Sequence, residues 1–128
     1  PGHIRTLGFA HGRNLPVIIH SCGMVESLIP GMIESGMDCL QVIEIKAGMD
    51  LIKLYRDFGD VLSFMGGIDV RALYTNDKRI IDQELEAKIP IVKGKNGFVL
   101  HSDHSIPKTV DYDTYRYFID KGLALGRY

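Results

Sequence analysis

Short apolar runs alternate with amphipathic stretches along the whole chain. Pro16-Val17-Ile18-Ile19-His20 is β-branched and ends in Ser21-Cys22-Gly23, which predicts a buried strand entering a loop. From Met24 to Gly36, Val25, Leu28, Ile29, Met32 and Ile33 recur at helical spacing, with Pro30 weakening the pattern and Gly36 a natural stop. Cys39 to Glu44 is the next strand. Asp50 can cap a helix whose inner face is Leu51, Ile52, Tyr55 and Phe58. Val61 to Met65 then runs into Gly66-Gly67-Ile68-Asp69, and Asn76 or Asp77 opens a helix that Pro90 is expected to end. Phe98 to His101 is a fourth strand. Asp111 caps a last helix carrying Tyr112, Tyr115, Ile119 and Leu123, and Gly126-Arg127-Tyr128 reads as a tail. A helical segment, Ile4 to Arg13, stands in front.

Four βα units in order, with nearly continuous apolar strands, mean an α/β fold with a parallel sheet covered by helices on at least one side. A doubly wound sheet and a β/α barrel both fit. A full barrel takes eight units in ~250 residues; four units in 128 residues is half of one. No glycine-rich phosphate loop of the G-x-G-x-x-G or G-x-x-x-x-G-K-[ST] kind is present.

Composition narrows the function classes. A net charge of −1 gives no basic footprint for nucleic acid and no polybasic membrane patch. No apolar stretch approaches the ~18 residues a membrane helix needs. Two cysteines, Cys22 and Cys39, do not make a disulfide framework, so a cytoplasmic location is expected. The chain starts without an initiator Met, and residues 1–128 are expected to be a single partial domain from a longer polypeptide.

Polar residues crowd the carboxyl ends of the predicted strands, the edge where parallel α/β folds build sites. His20 and Cys22 follow the first, Glu44 and Lys46 the second, Gly66, Gly67 and Asp69 the third, and His101, Asp103 and His104 the fourth. His20 and Cys22, two residues apart, suit Zn²⁺, which takes imidazole and thiolate in tetrahedral geometry. The bland alternative is a buried cysteine beside a histidine satisfied by backbone. His104, past its strand end, is a better third ligand than His101, which remains in strand register. Glu44 ends an apolar strand, where a carboxylate is costly unless exposed, paired or metal-bound. Asp103 can bind metal, orient an imidazole or form a turn. Gly66 and Gly67 permit close backbone approach to a ligand or a tight turn. Asp69 with Arg71 can hold substrate or form an ion pair. Tyr112, Tyr115 and Tyr117 are expected to pack, and Lys93 and Lys95 to lie in a solvated loop.

Pro16 to Gly23, Gly66-Gly67-Ile68-Asp69 and Asp103-His104-Ser105-Ile106-Pro107 resemble the uroporphyrinogen decarboxylase superfamily, in order and spacing, over about Leu15 to Tyr128. The resemblance implies the last four βα units of a (β/α)₈ barrel, the carboxyl-terminal half, with the amino-terminal half outside this chain. It selects the barrel over the doubly wound sheet. True uroporphyrinogen decarboxylases remove carboxyl groups from a tetrapyrrole, in porphyrin biosynthesis, without metal or cofactor. Their pattern reads roughly G-x-G, G-N-x-D-P and G-H-G-I at these three places, and this sequence departs at each.

The resemblance is closer to the corrinoid-dependent methyltransferases of the superfamily. These use zinc, held by an H-x-C pair and a later cysteine, to activate a thiol as methyl acceptor. His20 and Cys22 match the pair, and His104 falls where the later cysteine would be. The resemblance therefore implies a methyltransferase-like enzyme, with zinc on His20, Cys22 and His104 and Glu44 as a fourth ligand. A corrinoid protein or small-molecule substrate would be its partner. Uroporphyrinogen decarboxylation is the alternative, and a non-catalytic ligand-binding half barrel a third. Glu44, Asp69 and Asp103 are the candidate catalytic residues, and Gly66 and Gly67 the candidate cofactor contacts. Four strands leave two open edges, so either the missing half barrel or a second copy is expected across the open face, and the isolated segment is expected to be inactive. For one zinc site, the Cys22 sulfur and the two ring nitrogens must approach within roughly 4 Å of one another.

Overall fold

A computed structural model describes residues 2–127; Pro1 and Tyr128, the end of the predicted tail, lie outside the described residues. Four strands form one sheet: β1 (Ile18–Ser21), β2 (Cys39–Val42), β3 (Ser63–Gly66) and β4 (Phe98–Val99). Their order is β1-β2-β3-β4 and every pairing is parallel. Each crossover thus moves one strand over in the same direction. A doubly wound sheet would reverse its order at a switch point; this sheet does not, and it is an α/β unit consistent with part of a (β/α)₈ barrel.

Among the described residues six α-helices accompany it: α1 (Gly2–His11), α2 (Ile29–Glu34), α3 (Leu51–Phe58), α4 (Val70–Tyr74), α5 (Lys78–Val92) and α6 (Tyr112–Gly126). Aspartates open four of them. Asp50, Asp69, Asp77 and Asp111 each accept a backbone N–H from the first turn of α3, α4, α5 and α6, which satisfies donors that have no partner within the helix.

Register divides the sheet into two faces. Ile19, Leu40, Phe64 and Phe98 form one row across the strands. Leu40 and Phe64 are fully buried in a core with Ile29, Leu51, Leu54 and Leu62. The adjacent row is His20, Gln41, Met65 and Val99. Successive side chains of a strand point to opposite faces, so this row lies on the other side. His20 and Val99 are exposed there, and Gln41 and Met65 half-buried. One face therefore carries the helices; the other is the one that faces the interior in a closed barrel. A second cluster, built on Ile68, Leu73, Ile81, Leu85 and Phe118, packs α4, α5 and α6 together at the β4 end.

Several local expectations change. Pro30 sits in the first turn of α2, where its missing N–H costs nothing. Pro90 does not end α5, which continues to Val92; so near the carboxyl end, proline removes only one helical bond. α4 was not expected, because five residues are too few to show a helical period. Tyr112 is 74% exposed and so does not pack, whereas the half-buried Tyr117 donates its hydroxyl to Asp82 at 2.7 Å. The Lys93 ammonium holds the Leu125 carbonyl at 3.0 Å, and Lys95 pairs with Asp60 at 3.0 Å, so neither is a merely solvated loop residue.

Candidate functional site

The end of β1 presents His20 and Cys22, both exposed. His20 Nε2 lies 3.3 Å from Cys22 Sγ. On its other side, His20 Nδ1 is hydrogen-bonded to Gln41 Oε1. Gln41 is the register partner of His20 on β2, so strand pairing itself brings the amide beside the ring.

β2 leaves the sheet abruptly. Ile43 is only 1% exposed and adopts φ 56. A β-branched residue in the left-handed region costs about 1–3 kcal/mol and needs surrounding packing to hold it. The turn delivers Glu44 to the loop above β1. Its Oε2 accepts the Gly23 N–H at 2.8 Å, and Lys46 lies 3.5 Å from Oε1. The Gly23 N–H holds the carboxyl below the usual carboxylate range. Lys46 adds to that, with a smaller electrostatic pull from His104, against partial desolvation.

Asp103 is fully buried. Its Oδ2 accepts the Ile45 N–H at 3.0 Å and its Oδ1 the Val70 N–H at 2.8 Å, while its own N–H reaches the Ile68 carbonyl at 2.7 Å. It faces backbone amides rather than an imidazole, and it ties the loops after β2, β3 and β4 into one edge. Asp69 caps α4 and chelates the Arg71 guanidinium, with Nη2–Oδ2 at 2.6 Å; that guanidinium holds its carboxyl low. The Asp69 N–H is in turn held by Glu84 at 2.7 Å.

At Gly66 and Gly67 the close approach is to the chain itself. A Cβ on Gly66, at φ 110, would fall 2.0 Å from the Val42 carbonyl oxygen, and one on Gly67 would fall 2.9 Å from the Leu51 side chain.

His104 is exposed beside a cleft that Leu100, Ile106 and Phe118 also line, and its carbonyl accepts the Ser102 hydroxyl. It follows β4, at the far end of the sheet from β1. Among the described residues, no three His, Cys, Asp or Glu side chains gather into a metal-binding set. The structure thus brings His20 and Cys22 together and places Glu44 over the adjoining glycine, and it does not gather His104 into one set with them.

Gln41 was missed in the sequence. Its signal was an amide inside an otherwise apolar strand, but only the β1–β2 register shows that it meets His20.

The donor pair fits zinc. Ligands at ~2.3 Å and ~2.0–2.1 Å, at a tetrahedral angle, stand roughly 3.5 Å apart, close to the separation of Nε2 and Sγ. The ring also has the hydrogen-bonded second nitrogen usual for a metal-binding histidine. Among the described residues no helix is long and apolar enough to cross a membrane. The model of the uroporphyrinogen decarboxylase (URO-D) family matches residues 3–122. No curated protein matches the chain significantly.

Proposed function

Because this chain belongs to the uroporphyrinogen decarboxylase (URO-D) family, we propose that it is the zinc-binding part of a methyltransferase-type enzyme of that family. The observation that carries the reading is the His20 Nε2–Cys22 Sγ separation of 3.3 Å at an exposed strand end. His20 and Cys22 would hold the ion, with His104 and the Glu44 oxygen that is not bonded to Gly23 as its further donors. Bound zinc would supply the Lewis acidity that keeps a thiol substrate as its thiolate. The His20 ring, anchored at Nδ1, presents its other nitrogen to the site. Glu44, anchored on Gly23, holds the loop that carries Cys22. A corrinoid protein is the methyl donor this reading requires, met across the open face of the sheet.

The test is metal content together with methyl transfer from a methylated corrinoid to a thiol. About one equivalent of zinc is expected, lost in Cys22→Ala and in His20→Ala, with thiol methylation lost alongside. Unchanged metal content in Cys22→Ala overturns the reading and leaves Cys22–His20 as a simple S–H···N contact.

A further inference from the structure

The side chain of Gln41 does something that neither fold nor packing requires. It lies on the helix-free face, half-buried, inside a strand whose other residues, Cys39, Leu40 and Val42, are buried. Its amide contributes less apolar surface than the buried residues on either side of it and has to find hydrogen-bond partners. Its carbonyl oxygen Oε1 meets His20 Nδ1. With the amide in this orientation its carbonyl oxygen accepts, and the ring donates through Nδ1–H. In a neutral imidazole the other nitrogen is then a bare lone pair. That nitrogen, Nε2, is the atom 3.3 Å from Cys22 Sγ.

We infer that Gln41 is a positioning residue that fixes His20 as the Nδ1–H tautomer and aims its Nε2 lone pair at the space shared with Cys22. The inference builds on the zinc reading above, because a lone pair so aimed is what a metal ion takes. The same contact orders the ring in the metal-free chain. Without the Gln41 carbonyl, the ring is free to rotate about its side-chain bonds and to carry its proton on either nitrogen, so the donor pair is assembled only part of the time. Glutamate at the same position would also accept from Nδ1–H, whereas methionine keeps the volume and offers only a weak acceptor.

The experiment has two readouts. Long-range ¹H–¹⁵N correlation of the His20 ring in the metal-free chain, with the ring neutral, reports which nitrogen carries the proton. Titration with Co²⁺, followed by the thiolate-to-cobalt absorption of Cys22, reports the affinity of the pair. The wild-type ring is expected with Nε2 unprotonated. Gln41→Met should shift it toward the Nε2–H form and weaken Co²⁺ binding about 10- to 100-fold, the usual loss when a partner behind a metal-binding histidine is removed. Gln41→Glu should restore both. A proton on Nε2 in the wild-type ring overturns the inference whatever the variants do, as does Gln41→Met leaving the tautomer unchanged. A tautomer that depends on Gln41 in a chain that binds no Co²⁺ supports the positioning role and overturns the zinc reading, so the two fail separately.

Discussion

Glu44 Oε2 accepts the Gly23 backbone N–H at 2.8 Å, so the loop leaving β2 holds the turn that carries Cys22. That bond strengthens when the carboxyl is ionised, which is why the group titrates below the usual carboxylate range. The sign follows for stability. A carboxyl whose folded value lies below its unfolded one, roughly 4.3, contributes fully above that value and loses its contribution as pH falls through the lower folded value. Glu44→Gln should therefore lower the urea midpoint by a constant amount near neutrality. The gap to wild type should close as the solution is acidified past the carboxylate range. A gap independent of pH would mean that the Gly23 contact does not depend on charge.

Asp103 is predicted to matter for folding more than for chemistry. It accepts two backbone amides from a fully buried position. Removing this buried acceptor leaves both amides unsatisfied, at about 1–3 kcal/mol each. Asp103→Ala should cost about 3 kcal/mol or more in equilibrium denaturation, and Asp103→Asn less, because one acceptor oxygen remains. A loss below ~0.5 kcal/mol, the scale of an ordinary surface change, would show that the carboxylate does not join the three loops.

Glycines at two strand ends should respond differently to alanine. Gly66 has no room for a Cβ because the Val42 carbonyl oxygen stands 2.0 Å from it, while Gly23 has open space around it. Both have positive φ, 110 and 82. Gly23→Ala should cost only the left-handed conformation, about 1–2 kcal/mol. Gly66→Ala adds a clash with backbone that cannot move without parting β2 from β3, and should cost about 3 kcal/mol or more. Equal melting temperatures for the two variants would contradict this account.

The strands were legible because burial on the helix-covered face leaves a mark in sequence. Ile19, Leu40, Phe64 and Phe98 sit in apolar runs, and their row is the core. The caps Asp50 and Asp111 were legible for a similar local reason. What could not be read depends on partners distant in the chain. Asp103 finds its amides 58 and 33 residues away, and a backbone N–H has no residue signature. The His20–Cys22 proximity was visible in the spacing, whereas the His20–Gln41 contact exists only once β1 and β2 are in register. His104 carries the right chemistry, but the sheet order puts its strand at the opposite end from β1. Gly66 and Gly67 have the positive φ that a glycine pair permits, whereas the crowding of both by Val42 and Leu51 is a matter of packing that no local sequence pattern shows.

The two cysteines should separate cleanly in an alkylation experiment. Cys22 is exposed, and Cys39 is buried within β2. Burial pushes the Cys39 thiol up, with the neighbouring Asp38 carboxylate adding to the shift. The thiolate is the reactive form, so Cys39 is disfavoured twice, by access and by charge. Iodoacetamide on the folded chain should label the Cys22 peptide and spare Cys39, and both should label in urea; mass spectrometry of the tryptic peptides reads this directly. Stoichiometric zinc should then slow labelling of Cys22 while leaving Cys39 as it was, because a coordinated sulfur has its lone pair engaged. His20→Ala should abolish that protection without changing the slow reaction of Cys39. Zinc protection that persists in His20→Ala would mean that the sulfur is shielded by some other means than the histidine–cysteine pair. Rapid labelling of Cys39 in the native chain would mean that β2 opens far more readily than its burial implies.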